Sequence, residues 1–171
     1  MSHEVEIGRG KRGRRAYTLD DIALVPARRT RDPEDVNVGW QIDAYHVDLP
    51  LMAAPMDSVM SPETAIAFGR LGGIGVLDLD GLWTRYEDPE PILDQIAHLG
   101  EEESIATLQR VYSEPIKPAL ITERLTQLRE AGVVVAGKLS PQRVQQHWRA
   151  VVDAGVDLFI IRGSTVSAEH V

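Results

Sequence analysis

Short apolar runs alternate with amphipathic segments from Pro50 onward, and this alternation predicts strands and helices in turn. The runs of strand length occupy residues 51–56, 74–77, 133–136 and 158–161. The segments between them place apolar residues three or four positions apart, and two of them open with Ser-Pro, at Ser61 and Ser140, as capped helices do. Apolar strands joined by helices are typical of a parallel sheet that is covered on both faces. The pattern therefore predicts an α/β fold.

An internal repeat supports this prediction. Residues 130–135 and 153–158 both begin with an acidic residue followed by Ala-Gly-Val, and they are related by a shift of 23 positions. That distance accommodates one helix and one strand with short turns. The repeat therefore indicates successive strand and helix units of one sheet.

The segment between the second and third predicted strands is longer than one crossover helix requires. Its sequence predicts a helix from Asp88 to Gly100, a second over 101–111 and the crossover helix over 122–131, with Pro115 and Pro118 interrupting the middle. Residues 82–121 are therefore predicted to be a helical insertion of about 40 residues, which is too small for an ordinary inserted domain.

Composition narrows the class of protein. The chain has 171 residues, 43% of them hydrophobic, and no cysteine. No apolar run approaches the roughly 18 residues that a membrane-spanning helix needs, and no export signal is recognisable. We therefore expect a soluble cytoplasmic protein without membrane association. The absence of cysteine excludes disulfides, thiolate zinc sites and a cysteine nucleophile within these residues.

Charge is distributed unevenly along the chain. Five of the 18 basic residues lie within Arg9–Arg15, while residues 16–171 carry a net charge of −11. An acidic body argues against a nucleic-acid-binding fold, whose basic excess usually lies on the folded body. Residues 1–16 are predicted to be a basic, flexible N-terminal arm, with anion or partner binding as the alternative.

Candidate chemistry lies where the predicted strands end, because parallel α/β folds bind ligands beyond the carboxyl ends of their strands. Lys138 and Arg162 bring positive charge to this edge, and two of its loops lead into helix N-termini, which favour anions. We therefore expect a phosphate-bearing small molecule. The histidines show no metal-ligand spacing, so no metal site is predicted.

Each of the candidate residues has a structural alternative. Met56, at the end of the first strand, is by residue type more often a core side chain than a ligand contact. Asp57 is more often a turn or capping residue than an acid or base. Arg162 could be neutralised by an ion pair with Asp78 or Asp80 instead of by a substrate.

Three sequence blocks, residues 17–26, 50–59 and 71–76, resemble in order and spacing the N-terminal half of the IMP dehydrogenase and GMP reductase family. Residues 154–157 fit the approach of the same family to its fourth strand. The arginine-rich start and the segment 162–170 resemble a divergent IMP dehydrogenase-related subgroup. The resemblance covers nearly the whole chain apart from the basic arm and the insertion.

The resemblance implies an eight-stranded TIM barrel, of which residues 17–171 supply about the first four strands. It implies NAD-dependent oxidation of IMP to XMP through a covalent cysteine intermediate, or alternatively GMP reduction with NADPH. The nucleophilic cysteine, the main phosphate loops and a site for a monovalent cation such as K⁺ are then expected beyond Val171. A homotetramer or larger assembly is expected, and the 171 residues alone are expected to be inactive.

The resemblance also implies site residues. Met56 matches a position that packs on the purine base, and Ala54 stands where the family usually has a serine near the nucleotide. Together with Asp57 they are the predicted substrate-binding residues. The predicted cofactor-binding residues, which approach the nicotinamide end of NAD or NADP, are Arg162, Gly163 and Ser164.

Two departures from the family accompany these residues. The family's dehydrogenases usually have Asp-Ser-Ser at 162–164, so Arg162 reverses the charge at that position. The helical insertion stands where many members carry paired CBS modules, so nucleotide regulation through such modules is not expected. A non-catalytic alternative remains: a purine-nucleotide-binding or assembly module.

Overall fold

The chain divides into two units, Met1–Val36 and Asn37–Val171, in a computed structural model that describes residues 4–25 and 31–163. The first unit contains an antiparallel hairpin and two single 3₁₀ turns. The second contains a small hairpin, a parallel sheet and five helices. The predicted site residues belong to the second unit.

The hairpin of the first unit consists of β1 (Glu4–Glu6) and β2 (Arg12–Arg14). Acidic side chains on β1 face basic side chains on β2, and Glu4 Oε2 lies 3.3 Å from Arg12 Nη1. Cross-strand pairs of opposite charge favour such a ladder. The 3₁₀ turns of this unit span Leu19–Asp21 and Pro33–Asp35.

A four-stranded parallel sheet forms the centre of the second unit, and it confirms the α/β prediction. A hairpin of β3 (Trp40–Ile42) and β4 (Tyr45–Val47) precedes it in the chain. The sheet has the order β5-β6-β7-β8, which is also the order of its strands in the sequence. Its strands are β5 (Met52–Ala53), β6 (Ile74–Asp78), β7 (Ala136–Leu139) and β8 (Leu158–Ile161).

Two strands differ in extent from the sequence prediction. β5 covers only two of the six residues predicted, and Pro55, which lacks a backbone donor, follows two positions later. β7 begins at Ala136, where the prediction has it end, so Lys138 lies inside the strand and not in the loop after it. The apolar residues just before β7 approach the sheet, and Val135 exchanges backbone and side-chain hydrogen bonds with Asp157.

The helices agree more closely with the sequence. They are α1 (Pro62–Arg70), α2 (Glu90–Ala97), α3 (Glu101–Val111), α4 (Pro118–Glu130) and α5 (Pro141–Asp153). Pro118 starts α4 and does not break it, since proline fits the first helical turn. A further 3₁₀ turn, Leu82–Thr84, follows β6, so the whole stretch between β6 and β7 is free of strands.

The main core lies between the sheet and the helices. Ile121, Leu125 and Leu128 of α4 are buried against Leu77 and Leu139 of the strands. Removing such side chains from water stabilises the fold by roughly 1.5–3 kcal/mol each. Gly75 lets α1 approach β6, because a Cβ at this position would lie 2.5 Å from the Cα of Ala65.

The face of the sheet opposite the main core is apolar at one end of the strands and charged at the other. Near the amino ends it is apolar, and Val47 of the small hairpin packs there with Ile74, Val76 and Ala136. The next inward positions toward the carboxyl ends are charged, because side chains alternate along a strand with a period of two. This change places the candidate site at the carboxyl edge.

Candidate functional site

The charged residues at the carboxyl edge lie on neighbouring strands of one face. Asp78 ends β6 and pairs in register with Lys138 of β7. Arg162 directly follows β8, and its backbone N–H donates to the carbonyl of Leu139 over 3.1 Å. Three strands therefore bring a carboxylate, an ammonium and a guanidinium to one edge of the sheet, where the sequence predicted a site.

Lys138 is neutralised by two carboxylates. Its Nζ lies 3.1 Å from Asp78 Oδ1 and 3.0 Å from Asp80 Oδ2, and all three side chains are largely buried. Burial, the largest single effect, lowers the pKa of Lys138, but the charges and hydrogen bonds of the two carboxylates together outweigh it, so the pKa is raised. The ammonium therefore stays charged and its donors are committed to these partners.

The N-terminus of α5 is occupied by a side chain of the protein. Asp80 Oδ2 accepts a hydrogen bond from the backbone N–H of Ser140 over 2.7 Å, while the Ser140 side chain makes no capping bond to the helix. A carboxylate at this position satisfies the helix dipole. This corrects the expectation that the N-terminus of α5 binds an external anion, because the Asp80 carboxylate already occupies it. At α1, Ser61 caps the helix as predicted and accepts from Thr64 N over 3.1 Å.

A pocket of about 420 Å³ opens at this edge, and its lining includes two of the predicted cofactor residues. Asp78 and Lys138 line it together with Arg162, Gly163 and Pro55. Within residues 4–25 and 31–163, Asp78 and Asp80 form their ion pairs with Lys138, so the alternative pairing with Arg162 is not the one observed. Ser164 lies outside the described residues.

The predicted substrate-binding residues follow β5. Ala54 is exposed, and the Met56 side chain is 47% exposed, so Met56 is not a core residue of this structure. Asp57 is half-buried, and its Oδ2 accepts from the Leu82 N–H over 2.8 Å and from the Tyr112 hydroxyl over 2.5 Å. The structure thus gives Asp57 a bonding role between segments far apart in the sequence.

The surroundings of Asp57 favour its neutral form. Burial is the largest effect and raises its pKa, while the hydrogen bonds from Tyr112 and Leu82 lower it by less. The pKa of Tyr112 is also raised, first by burial and then by the Asp57 carboxylate. The tyrosine hydroxyl therefore remains the proton donor in this pair.

Sequence reasoning missed three residues that fix this edge of the sheet. Tyr112 ends the α3 segment, and the buried Arg85 and Arg124 bind backbone carbonyls of the surrounding turns. Arg85 donates to the carbonyls of Asp80 and Glu114. No local pattern marks these residues. Only the structure shows that Arg85 and Arg124 are buried.

None of the helices in the described residues has both the length and the apolar character that crossing a membrane requires. In residues 4–25 and 31–163 no three His, Asp or Glu side chains are grouped so as to hold a metal ion.

The chain has a parallel α/β sheet with a charged pocket at its carboxyl edge. Proteins of this α/β class usually bind their ligands at that edge. Within this class, the chain belongs to the IMP dehydrogenase / GMP reductase family, whose domain model matches residues 16–171. This confirms the resemblance drawn from the three sequence blocks.

Individual relatives agree with the family model. An uncharacterized oxidoreductase of Mycolicibacterium smegmatis is 43% identical over 98% of this chain and 46% of its own length. The inosine-5'-monophosphate dehydrogenase of Thermoplasma acidophilum is 31% identical over 70% of this chain and 24% of its own length.

A solved structure extends the agreement to three dimensions. The crystal structure of an IMP dehydrogenase/GMP reductase-like protein from Corynebacterium glutamicum matches with a TM-score of 0.83 and 43% identity. The match covers 98% of this chain and 46% of that one. The chain thus spans about half the length of the relatives that it matches most fully.

Proposed function

We propose that the chain forms the N-terminal half of an eight-stranded TIM barrel, with β5 to β8 as its first four strands. The sequential order and parallel direction of these strands support the proposal. A complete barrel needs about 250 residues. In the described residues the sheet is open at β5 and at β8, which leaves both strands free to pair with further strands.

We further infer that the complete enzyme oxidises IMP to XMP with NAD and water. The observations that carry this inference are the charged pocket, which Pro55 lines, and the exposed side chain of the next residue, Met56. Methionine is usually buried, yet Met56 is 47% exposed at the edge where ligands of such folds bind. An exposed thioether suits the flat apolar face of a purine base.

The residues of this chain bind and orient the nucleotide. Met56 contacts the purine, Asp57 fixes the backbone beside it, and Ala54 allows close approach without a polar contact. The reacting cysteine and a K⁺ site come from the second half of the barrel. Residues of this half therefore act by positioning, which lowers the barrier of a reaction without any bond to them.

The residues after β8 fit a cofactor that carries negative charge. The guanidinium of Arg162 lines the charged pocket and is a contact for a phosphate group, while Asp78 and Asp80 bind Lys138. Gly163 permits close approach of the backbone, and Ser164 adds a hydroxyl. NAD, when bound, accepts the hydride from the purine. We propose that the enzyme is cytoplasmic and, in line with the family resemblance, a homotetramer or larger homo-oligomer.

Turnover assays of the whole protein test the proposed reaction. Incubation with IMP and NAD should produce NADH, while incubation with GMP and NADPH should leave NADPH unchanged. NADPH consumption with GMP alone would make the enzyme a reductase. If neither reaction occurs, IMP binding measured by calorimetry would support the non-catalytic, nucleotide-binding alternative.

The proposed cofactor contact has its own test. Arg162→Gln should raise the KM for NAD about tenfold or more, since hydrogen bonds to charged groups contribute roughly 1.5–3 kcal/mol. Arg70→Gln is the matched control, because Arg70 is exposed at the end of α1 on the opposite edge of the sheet. Equal KM values for the two variants would contradict the role of Arg162.

A further inference from the structure

The loop that carries Met56 is bonded to the helical insertion through a single carboxylate. Asp57 Oδ2 accepts from the Tyr112 hydroxyl over 2.5 Å and from the Leu82 N–H over 2.8 Å. Both donors lie between β6 and β7, while Asp57 follows β5. One carboxylate oxygen thus joins a predicted substrate-binding loop to two points of the insertion.

The other oxygen of the carboxylate is closely enclosed. A Cβ on Gly81 would lie 1.9 Å from Asp57 Oδ1, so no residue with a side chain fits at position 81 while Asp57 keeps this position. Asp57 Oδ1 is buried and has no hydrogen-bond partner among the described residues. The turn after β6 is therefore shaped around this carboxylate.

Tyr112 is itself held in place. The guanidinium carbon of Arg85 lies 5.6 Å from the centroid of the Tyr112 ring, within the range of a cation–π contact. Arg85 is only 5% exposed and donates to the carbonyls of Asp80 and Glu114. The buried Arg85 guanidinium thus packs against the ring whose hydroxyl donates to Asp57.

Asp57 lies in the same turn as Met56. The Met56 carbonyl accepts from the N–H groups of Val59 and Met60, at 3.0 and 2.8 Å, and closes a tight turn around Asp57. Met60 is buried, whereas the Met56 side chain is nearly half exposed and has little packing of its own. The position of Met56 therefore follows the turn that contains Asp57, and the Asp57 carboxylate bonds that turn to Leu82 and Tyr112.

We propose that Tyr112 is a positioning residue for the purine nucleotide: its hydroxyl acts through Asp57 to hold Met56 where the base binds. This inference rests on the proposed function, in which Met56 contacts the purine. The helical insertion is then part of the substrate site and not a spacer. Its contribution is to binding, because Tyr112 reaches the nucleotide only through Asp57 and Met56.

A matched pair of variants separates this role from a structural one. Tyr112→Phe in the whole protein removes the hydroxyl that binds Asp57. Tyr86→Phe removes another hydroxyl of the insertion, which donates to the Val111 carbonyl over 3.1 Å and makes no hydrogen bond to Asp57. Both variants lose one hydroxyl hydrogen bond, so a purely structural role predicts similar effects.

The primary measurement is the Kd for IMP by calorimetry, with KM and kcat where turnover is present. Tyr112→Phe should weaken IMP binding about three- to tenfold, as expected for loss of one hydrogen bond. The kcat should stay within about twofold, because an interaction equally present before and during reaction affects binding alone. Tyr86→Phe should bind IMP as the unaltered protein does.

A double-variant cycle locates the effect. Asp57→Ala should weaken IMP binding, and adding Tyr112→Phe to it should cause little further loss, since two residues of one network are not additive. Equal Kd values for Tyr112→Phe and the unaltered protein, or equal weakening by Tyr86→Phe, would overturn the positioning role alone. Failure of the unaltered protein to bind either IMP or GMP would overturn the proposed function and this inference together.

Discussion

Two carboxylate sites at the carboxyl edge of the sheet are stabilised in opposite ways. Asp78 and Asp80 enclose the Lys138 ammonium, whose pKa is raised. Asp57 forms no ion pair among the described residues and accepts only from neutral donors, and its pKa is raised by burial. The first site therefore depends on charge compensation, whereas the second depends on hydrogen-bond geometry and tolerates a neutral carboxyl group.

The two sites also differ in the parts of the structure that they connect. The Lys138 cluster joins β6, β7 and the start of α5, so it holds the framework of the pocket. Asp57 connects the loop after β5 to the insertion, and its hydrogen bonds go to Leu82 and Tyr112, which lie outside the strands. Changes at the cluster should therefore act mainly on stability, while changes around Asp57 should act mainly on the nucleotide loop.

The largest effect is expected from Lys138→Met. This change leaves Asp78 and Asp80 together in a largely buried place without a cation, which typically costs about 3–5 kcal/mol. Urea unfolding of the whole protein should show a loss of this size. The triple variant with Asp78→Asn and Asp80→Asn should recover at least about half of the loss, because no uncompensated charge remains. A loss below about 1 kcal/mol, the size typical of exposed pairs, would show that water compensates the carboxylates.

A smaller effect is expected from Gly81→Ala. The new Cβ would lie 1.9 Å from Asp57 Oδ1, so the carboxylate must move and both of its hydrogen bonds weaken. We expect a loss of about 1–3 kcal/mol in the free energy of unfolding, accompanied by weaker IMP binding.

The control for Gly81→Ala is Gly100→Ser. Gly100 precedes α3 as its N-cap, and in the described part of the chain no atom beyond its two neighbours lies within 4 Å of the place where its Cβ would be. Serine caps helices at least as well as glycine, so stability should change by less than about 0.5 kcal/mol. If Gly81→Ala behaves like this control, the carboxylate is not confined as the structure indicates.

The sequence predicted much of the framework because its signals are local. The Ser-Pro starts and the apolar periodicity of α1 and α5 come from residues that are close in the chain. The start of β7 was misplaced because the apolar run before Ala136 looks more strand-like than the strand itself. Lys138 looks like a loop residue in sequence, and it is accommodated in a strand because Asp78 pairs with it in register.

The connections that shape the site could not be predicted in the same way. Asp57 and Tyr112 are 55 positions apart, and Asp80 and Ser140 are 60 apart. No periodicity relates such pairs, because the fold of the insertion decides which side chain meets which. The family resemblance pointed to Met56 and Arg162, but the sequence blocks that carry it lie outside the stretch between β6 and β7, so it gave no indication of Tyr112.

The smallest effect concerns the pH dependence of stability and tests the contrast between the two carboxylate sites directly. Because the pKa of Asp57 is raised in the folded state above its ordinary value of 3.8, the folded protein binds a proton there more readily than the unfolded chain. Its contribution to stability is therefore fully present below pH 3.8 and is lost as the pH rises through the raised value. Asp57→Asn removes this titration while keeping an oxygen that accepts from Leu82 and Tyr112.

The stability of the unaltered protein relative to Asp57→Asn should therefore increase as the pH falls from neutral toward 3.8. Urea unfolding of both proteins at several pH values measures this difference, and acid effects common to both cancel. A difference between the two proteins that falls with decreasing pH would place a cation beside Asp57 and remove the distinction between the sites.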